Sequence, residues 1–525
     1  SGSPGRCAWA VGTGSRPGDI NLLANSVDEN QGFSTAGGGG VISGSATISN
    51  ADASDTDDKK SASVDVANWS SGYTNAPIGA GSVNIEANHQ TYFFAGADSI
   101  NVSVLGGSGA KADVDVDLDT EVSLGNNVSF YADEIEFSAT NHVDQIGDPW
   151  FDSFDESVNA GAGGALNGSA AISLVDIDHL GATVDVGNNA VLKIDPSADL
   201  FDADHDVLDY HIQMEAHTSY NIYDVVTLTA GGALQGAGSE SSIDVATVNT
   251  VNLGSDVQLI NPVGQIEMGA YTRGFATADT NTSIYAAAGV AGGVTDVDLQ
   301  TDNEITIGDD VTIDAYESVK ILAGRSADYI TDNYLDATAR TNIYNGTAIP
   351  ISADTVADAD VTVNNTITFG SDVDVSSVQD ILLESNRGLT YATGDGIERN
   401  PYLDLLSTEN SFGSSNANHG SSTIIFNGTT TIEAGSRYQQ WVNVDAAGNI
   451  TLGPNTEAVA YDYGSFSSRQ SLQDYIDALN SEKTALTTTS TETVDTSSIS
   501  DDGDTTSENI SSTSVSGGGE DPARV

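Results

Sequence analysis

Apolar and polar residues alternate along most of this chain with a period of two, the signature of a strand with one buried face. Asp113-Val114-Asp115-Val116-Asp117-Leu118-Asp119 is the clearest case: Val114, Val116 and Leu118 would face inward and four aspartates outward. A short phrase punctuates the alternation. Leu124-Gly125-Asn126-Asn127-Val128-Ser129-Phe130 returns as Val186-Gly187-Asn188-Asn189, Leu253-Gly254-Ser255-Asp256, Ile307-Gly308-Asp309-Asp310 and Phe369-Gly370-Ser371-Asp372, each followed by alternating apolar positions. Weaker echoes lie at Ile78-Gly79 and Leu452-Gly453. Gly before Asn, Ser or Asp tolerates positive φ and makes a tight turn, with a short strand on either side.

The turn glycines are 62, 67, 54 and 62 residues apart. A second phrase keeps step with them. It begins at Ile20, Val83, Ile135, Ile212, Ile266, Val319 and Ile381, and alternates apolar residues up to a small one. A third phrase is rich in Gly and Ala, at Ala36–Val41, Ala160–Leu166, Ala230–Leu234 and Ala286–Gly293. Such units must stack to bury their apolar faces. With strands of about 4–6 residues and roughly 20 residues per coil, each unit predicts two to three coils. The expected class is all-β: a right-handed parallel β-helix, or β-solenoid. A string of immunoglobulin-like sandwiches fits less well, because those need about 100 residues each.

Residues 1–18 fit no repeat, and the array is expected over 19–465. Asp52–Lys60, Asn141–Asn159, Asp195–Tyr210, Ala327–Ile349 and Asn386–Gly420 read as loops leaving the coil. Leu472, Tyr475, Ile476 and Leu479 have helical spacing behind a Ser471/Asp474 capping box, predicting a short capping helix over 466–483. Residues 484–525 are dominated by Ser, Thr and Asp and read as a disordered tail.

The net charge of −60 and pI near 4.1 exclude nucleic acid and anionic membrane as partners. Cys7 is the lone cysteine, so no disulfide framework exists. No apolar run reaches the ~18 residues of a membrane helix. Without a leading Met or a signal-like segment, the chain reads as a piece of a longer protein.

Carboxylates in register on neighbouring coils would repel, and Ca²⁺ would relieve this. The candidate ligands are Asp113, Asp115 and Asp117, with related pairs at Asp176/Asp178, Asp296/Asp298 and Asp358/Asp360. Asp202, Asp204 and Asp206 open a D-x-D-x-D run, but Val207 and Gln213 replace the Gly and Glu of an EF-hand. His211, Glu215 and His217 would share one outer face. About 7 Å between same-face neighbours is too long for one zinc ion without a ligand from elsewhere. Trp150, Phe151 and Phe154 form the preferred ligand-contact patch, and Tyr329 and Tyr334 a second. No motif demands a cofactor, and no catalytic signature of the G-x-S-x-G or P-loop kind is present.

The three phrases, in this order, resemble the strand repeats of filamentous haemagglutinin-like adhesins and giant β-strand-repeat bacterial exoproteins. Ala160–Ile194 carries the likeness best, and the resemblance spans about Ile20 to Tyr463. It implies a non-catalytic, rod-like adhesin or scaffold, extracellular or on a bacterial cell surface, that meets a glycan or a host or neighbour cell. The competing expectations are a β-helical polysaccharide lyase or glycosidase and a calcium-dependent surface-layer protein.

Overall fold

The computed structural model describes residues 18–54, 61–68, 78–146, 157–195, 210–400, 409–434, 442–444, 450–452, 460–461 and 464–465. The expected helix over 466–483 and the tail lie outside them. The described residues form an all-β, solenoid-like stack of long parallel strands, and no helix occurs among them.

Seven coils stack on one another. The first holds β1 (Ile20–Ser54), β2 (Ala62–Val66) and β3 (Ile78–Gly79), the second β4 (Ser82–Leu124) and β5 (Ser129–Ala132). The third holds β6 (Glu134–Gln145), β7 (Val158–Val186) and β8 (Val191–Ile194), the fourth β9 (His211–Leu253) and β10 (Gln258–Asn261). The fifth is β11 (Gln265–Ile307) and β12 (Thr312–Ala315), the sixth β13 (Ser318–Ala323), β14 (Tyr334–Phe369) and β15 (Val373–Ser377). The seventh runs through β16 (Asp380–Ser385), β17 (Leu389–Arg399), β18 (Glu409–Phe412), β19 (Ser414–His419), β20 (Ser422–Phe426) and β21 (Thr430–Ala434). Two antiparallel pairs follow: β22 (Val442–Val444) with β23 (Ile450–Leu452), and β24 (Ala460–Tyr461) with β25 (Gly464–Ser465).

One repeat is therefore one coil, not the two to three expected. Ile20, Val83, Ile135, Ile212, Ile266, Val319 and Ile381 stand over one another, each bonded to the next repeat. Strands are also far longer than 4–6 residues; β4, β9 and β11 have 43 each. The Gly/Ala runs bend the coil back on itself while most of their backbone groups go on pairing with the coils above and below. Likewise Ala327–Ile349 is mostly strand, with only 324–333 outside the sheet, and much of Asn386–Gly420 is β17, β18 and β19.

Each long strand runs out to the Gly/Ala tip and returns, so its two halves face each other. Near the turn glycines they enclose one apolar core, with Ile85, Leu124, Phe137, Leu192 and Ile212. Nearer the tip they enclose a second, with Phe93, Val116, Ile177, Val226 and Leu299. A buried polar belt separates the two. Thr218 donates to Asn249 Oδ1 (2.7 Å), and Asn249 donates to Thr272 Oγ1 (2.7 Å) on the facing wall. Along the stack Asn249 donates to Asn303 (2.9 Å) and Asn303 to Asn365 (2.8 Å). Every amide in that row can donate one way and accept the other, which satisfies groups that burial would otherwise penalise.

The turns repeat as the sequence implies, but glycine has a different task there. Positive φ falls two residues later, at Asn127 (61°), Asn189 (58°), Asp256 (59°), Asp310 (57°) and Asp372 (58°), which Asn and Asp tolerate. The glycine is needed for close approach. A Cβ on Gly308 would lie 2.7 Å from the carbonyl carbon and oxygen of Gly254, and one on Gly370 2.7 Å from the carbonyl carbon of Gly308. Between coils, the Gly187 N–H donates to Leu124 O (2.6 Å) and Gly254 to Val186 O (2.7 Å). Ile78-Gly79 is not such a turn; it is the strand β3, beside Phe130-Tyr131. On the seventh coil Asn427 takes the glycine's place, donating to Phe369 O (2.9 Å).

Gly308→Ala is expected to cost about 1–3 kcal/mol by forcing the coils apart. Gly236→Ala, where nothing lies within 4 Å of the added carbon, should change stability by only a few tenths. Chemical denaturation of the two variants side by side checks the distinction.

Candidate functional site

The acidic alternation places its aspartates outward, with Val114, Val116 and Leu118 buried beneath. Register then builds a row. Asp52, Asp115, Asp176, Asp244, Asp298 and Asp360 occupy the same position on six successive coils. Sequence reading had Asp115, Asp176, Asp298 and Asp360 but missed Asp52, taken as loop, and Asp244, which lacks an i+2 partner. Asp113 and Asp117 stand beside the row: Asp113 pairs with Lys111 (2.8 Å), and Asp117 is level with His179. Asp296 and Asp358 start a second, shorter row, level with Ser414.

At the ~4.8 Å strand spacing these carboxylates repel strongly. Burial first, then Asp178, Asp244 and Asp115, push Asp176 up to about 6. Burial and neighbouring aspartates raise Asp115, Asp244 and Asp296 too. A row of oxygens at this spacing offers hard donors to a divalent cation.

A second constellation lies on the outer face of β6, β9 and β11. Ile212, Met214 and Ala216 point inward, so His211, Gln213, Glu215 and His217 point outward. The structure does not gather His211, Glu215 and His217 around one point. Instead His211 meets the neighbouring coil: its Nε2 is 3.4 Å from Glu134 Oε1. Ligand atoms of Glu134, Glu136 and His211 all lie within 4.8 Å of one another, a separation one divalent ion spans. The missing ligand came from the coil below, which spacing along a single strand cannot reveal.

Glu215 is covered by the segment 324–333. Its Ala327 N–H donates to Glu215 Oε2 (3.0 Å), and it rests on Gly269, where a Cβ would come within 2.3 Å of Ala327 N. Burial pushes Glu215 up to about 7, against the Ala327 hydrogen bond. Burial, with His142 and Arg273 nearby, holds His217 down to about 4; its ring stacks on Tyr271 at 4.9 Å.

Trp150, Phe151 and Phe154 lie outside the described residues, as do Asp202, Asp204 and Asp206. Tyr329 and Tyr334 have different settings. Tyr329, at φ 65°, packs against the Arg325 guanidinium, 3.9 Å from the ring centre. Tyr334 belongs to a stripe of three rings on successive coils, 4.9 Å from Phe275 and 5.7 Å from Tyr391. Phe275 and Tyr391 are 39% and 48% exposed, so the stripe faces solvent. Asp224 also escaped sequence reading. It is fully buried in the second core, accepting from Ser173 (2.7 Å) and Ser241. Burial raises its pKa, and the serine hydroxyls oppose the rise.

Comparison with protein-family models, with curated proteins and with solved structures returns no match to this chain.

A carboxyl whose pKa is raised by folding opposes folding once it ionises. For Asp176 the penalty is absent below the ordinary value of 3.8 and complete above the folded value of about 6. Asp176→Asn should therefore be more stable than the parent by about 1 kcal/mol near neutral pH, after solvent screening of a largely exposed group. The gain should vanish in acid. Paired melts of parent and variant across the pH range cancel the opposite trend of His217, whose contribution is lost as pH falls from 6.5 through about 4.

Proposed function

We propose that this chain is part of a non-catalytic adhesin or surface scaffold of the filamentous haemagglutinin-like kind, built as a right-handed parallel β-helix and displayed outside a bacterial cell. The observation that carries the reading is the register. The same side-chain type recurs at the same point on successive coils, so the molecule offers long periodic surfaces rather than one converging pocket. The handedness follows from the strong preference of parallel crossovers. The resemblance of the repeat phrases supports the family.

The proportions refine the idea of a rod. About twenty residues out and twenty back make a coil up to roughly 65 Å across, while seven coils rise only about 30 Å. The described stack is a blade, and it becomes a rod only where many more coils are joined to it. Contact with a glycan falls to the exposed stripe of Phe275, Tyr334 and Tyr391, flanked by exposed Arg273, since sugar faces pack on aromatic rings. The row of aspartates takes Ca²⁺, which stiffens the blade by removing repulsion between coils.

Adding Ca²⁺ should raise the melting temperature, by the equivalent of about 2–3 kcal/mol at a hundredfold excess over Kd, and chelator should reverse it. Asp176→Asn should blunt the response. A glycan array run with and without Ca²⁺, with analysis for cleaved products, tests the adhesive reading. Binding without cleavage, weakened by Tyr391→Ala, is expected; released oligosaccharides would overturn the non-catalytic assignment.

A further inference from the structure

The Gly/Ala tips carry a pattern opposite to the rest of the molecule: their polar groups are inside and their apolar groups outside. Asn101 is 1% exposed and donates to Gly107 O and Ser43 O, both at 2.7 Å, closing the tip from within. Gln235, 5% exposed, does the same through Gly231 O (2.8 Å) and Gly164 O (3.3 Å). The outer positions form two rows. Ile42, Leu105, Leu166, Leu234, Ala288 and Ile349 are in direct register on six coils. One residue earlier on each coil stand Val41, Val104, Ala165, Ala233, Ala287 and Ala348, all exposed. Surface turns are ordinarily polar; all twelve of these positions are apolar. Ile42 is 76% exposed and Ile349 63%.

The same segments are free of charge. In a chain of net charge −60, residues 36–49, 99–110, 159–175, 225–239, 280–295 and 341–353 contain no Asp, Glu, Lys, Arg or His. With Ile100, Val102, Tyr285 and Tyr344 on its flank, the ridge exposes apolar surface on the order of 1,000 Å². A single apolar patch on a monomer seldom exceeds about 600 Å², while each side of a stable interface buries about 800 Å².

We infer that this ridge is a self-association surface: two copies of the chain meet tip to tip about a twofold axis. Charge selects the occupant. An ionic partner finds nothing on the ridge to pair with, and an anionic surface is repelled by the acidic flanks. A second copy brings an equally neutral ridge with the same coil spacing, so the rows of one can seat between the rows of the other along all six coils. A twofold contact uses one patch twice and closes after two copies. The acidic faces oppose the approach at long range, so screening by salt should strengthen the dimer.

Sedimentation velocity of the full chain at high and low salt tests this, with flotation on phosphatidylcholine vesicles as a second arm. The parent should sediment as a dimer in high salt, shift toward monomer in low salt, and stay off the vesicles. Leu105→Asp/Leu234→Asp, two coils apart so that the new carboxylates are not neighbours, should be monomeric in both and melt with the parent in low salt, where dimerisation no longer adds to the parent's stability, and Ala233→Arg should weaken the dimer in the same direction. A monomeric parent in high salt would overturn the inference. So would dimerisation that survives both variants, or vesicle binding by the parent that the variants abolish.

Discussion

Every residue in the stack meets its own counterpart on the next coil at the parallel-strand spacing of about 4.8 Å. That constraint sorts residues by how well they tolerate themselves as neighbours. Aliphatic side chains do so at no cost, and Ile135, Ile212 and Ile266 form a dry column. Aromatic rings stack, as Phe369 does on Phe426 at 4.9 Å. Asparagine bonds to asparagine because each amide both donates and accepts. Glycine permits the corners, where backbone approaches backbone. Aspartate is the residue that pays, since a column of carboxylates raises the pKa of its members rather than satisfying them.

This logic explains what the sequence disclosed. The seven apolar phrases beginning at Ile20 align because core columns demand the same residue class on each coil, and the structure places all seven in register. The turns were legible for the same reason. Coil length was not, because a strand that bends through Gly and Ala while keeping its neighbours looks locally like a strand that ends. Asp244 has a lone sequence context, Ser242-Ile243-Asp244-Val245, and only register reveals its row. The Glu134–Glu136–His211 group spans two coils separated by an insertion, so no spacing along the chain encodes it.

The buried polar belt answers a problem of size. A coil of about sixty residues folded flat has walls too long to be joined by one apolar core with a definite alignment. Oily walls slide; hydrogen bonds do not. Asn249 bonds both across to Thr272 and along to Asn303, so one side chain fixes the facing wall and the neighbouring coil together. A shift of one residue would turn these amides outward and bring outward-facing groups such as Arg273, Asp302 and Glu304 into the belt. The belt thus gives the stack its register, and the two apolar cores give it most of its stability.

Charge is distributed with the same regularity. Each of the first six coils carries acids along its flanks and none at its tip, so stacking turns a local preference into an acidic face and a neutral edge running along those six coils. A uniformly acidic blade would be soluble and solitary, and a uniformly apolar one would aggregate in every direction. Confining apolar exposure to one edge restricts close contact to a line, and the amides tucked behind that edge hold its turns in shape without adding polarity outside. The tip rows therefore obey the column rule as strictly as the core does. Since the folded chain alone gains nothing from aliphatic residues kept in water on six successive coils, their consistency is explained by what the edge meets.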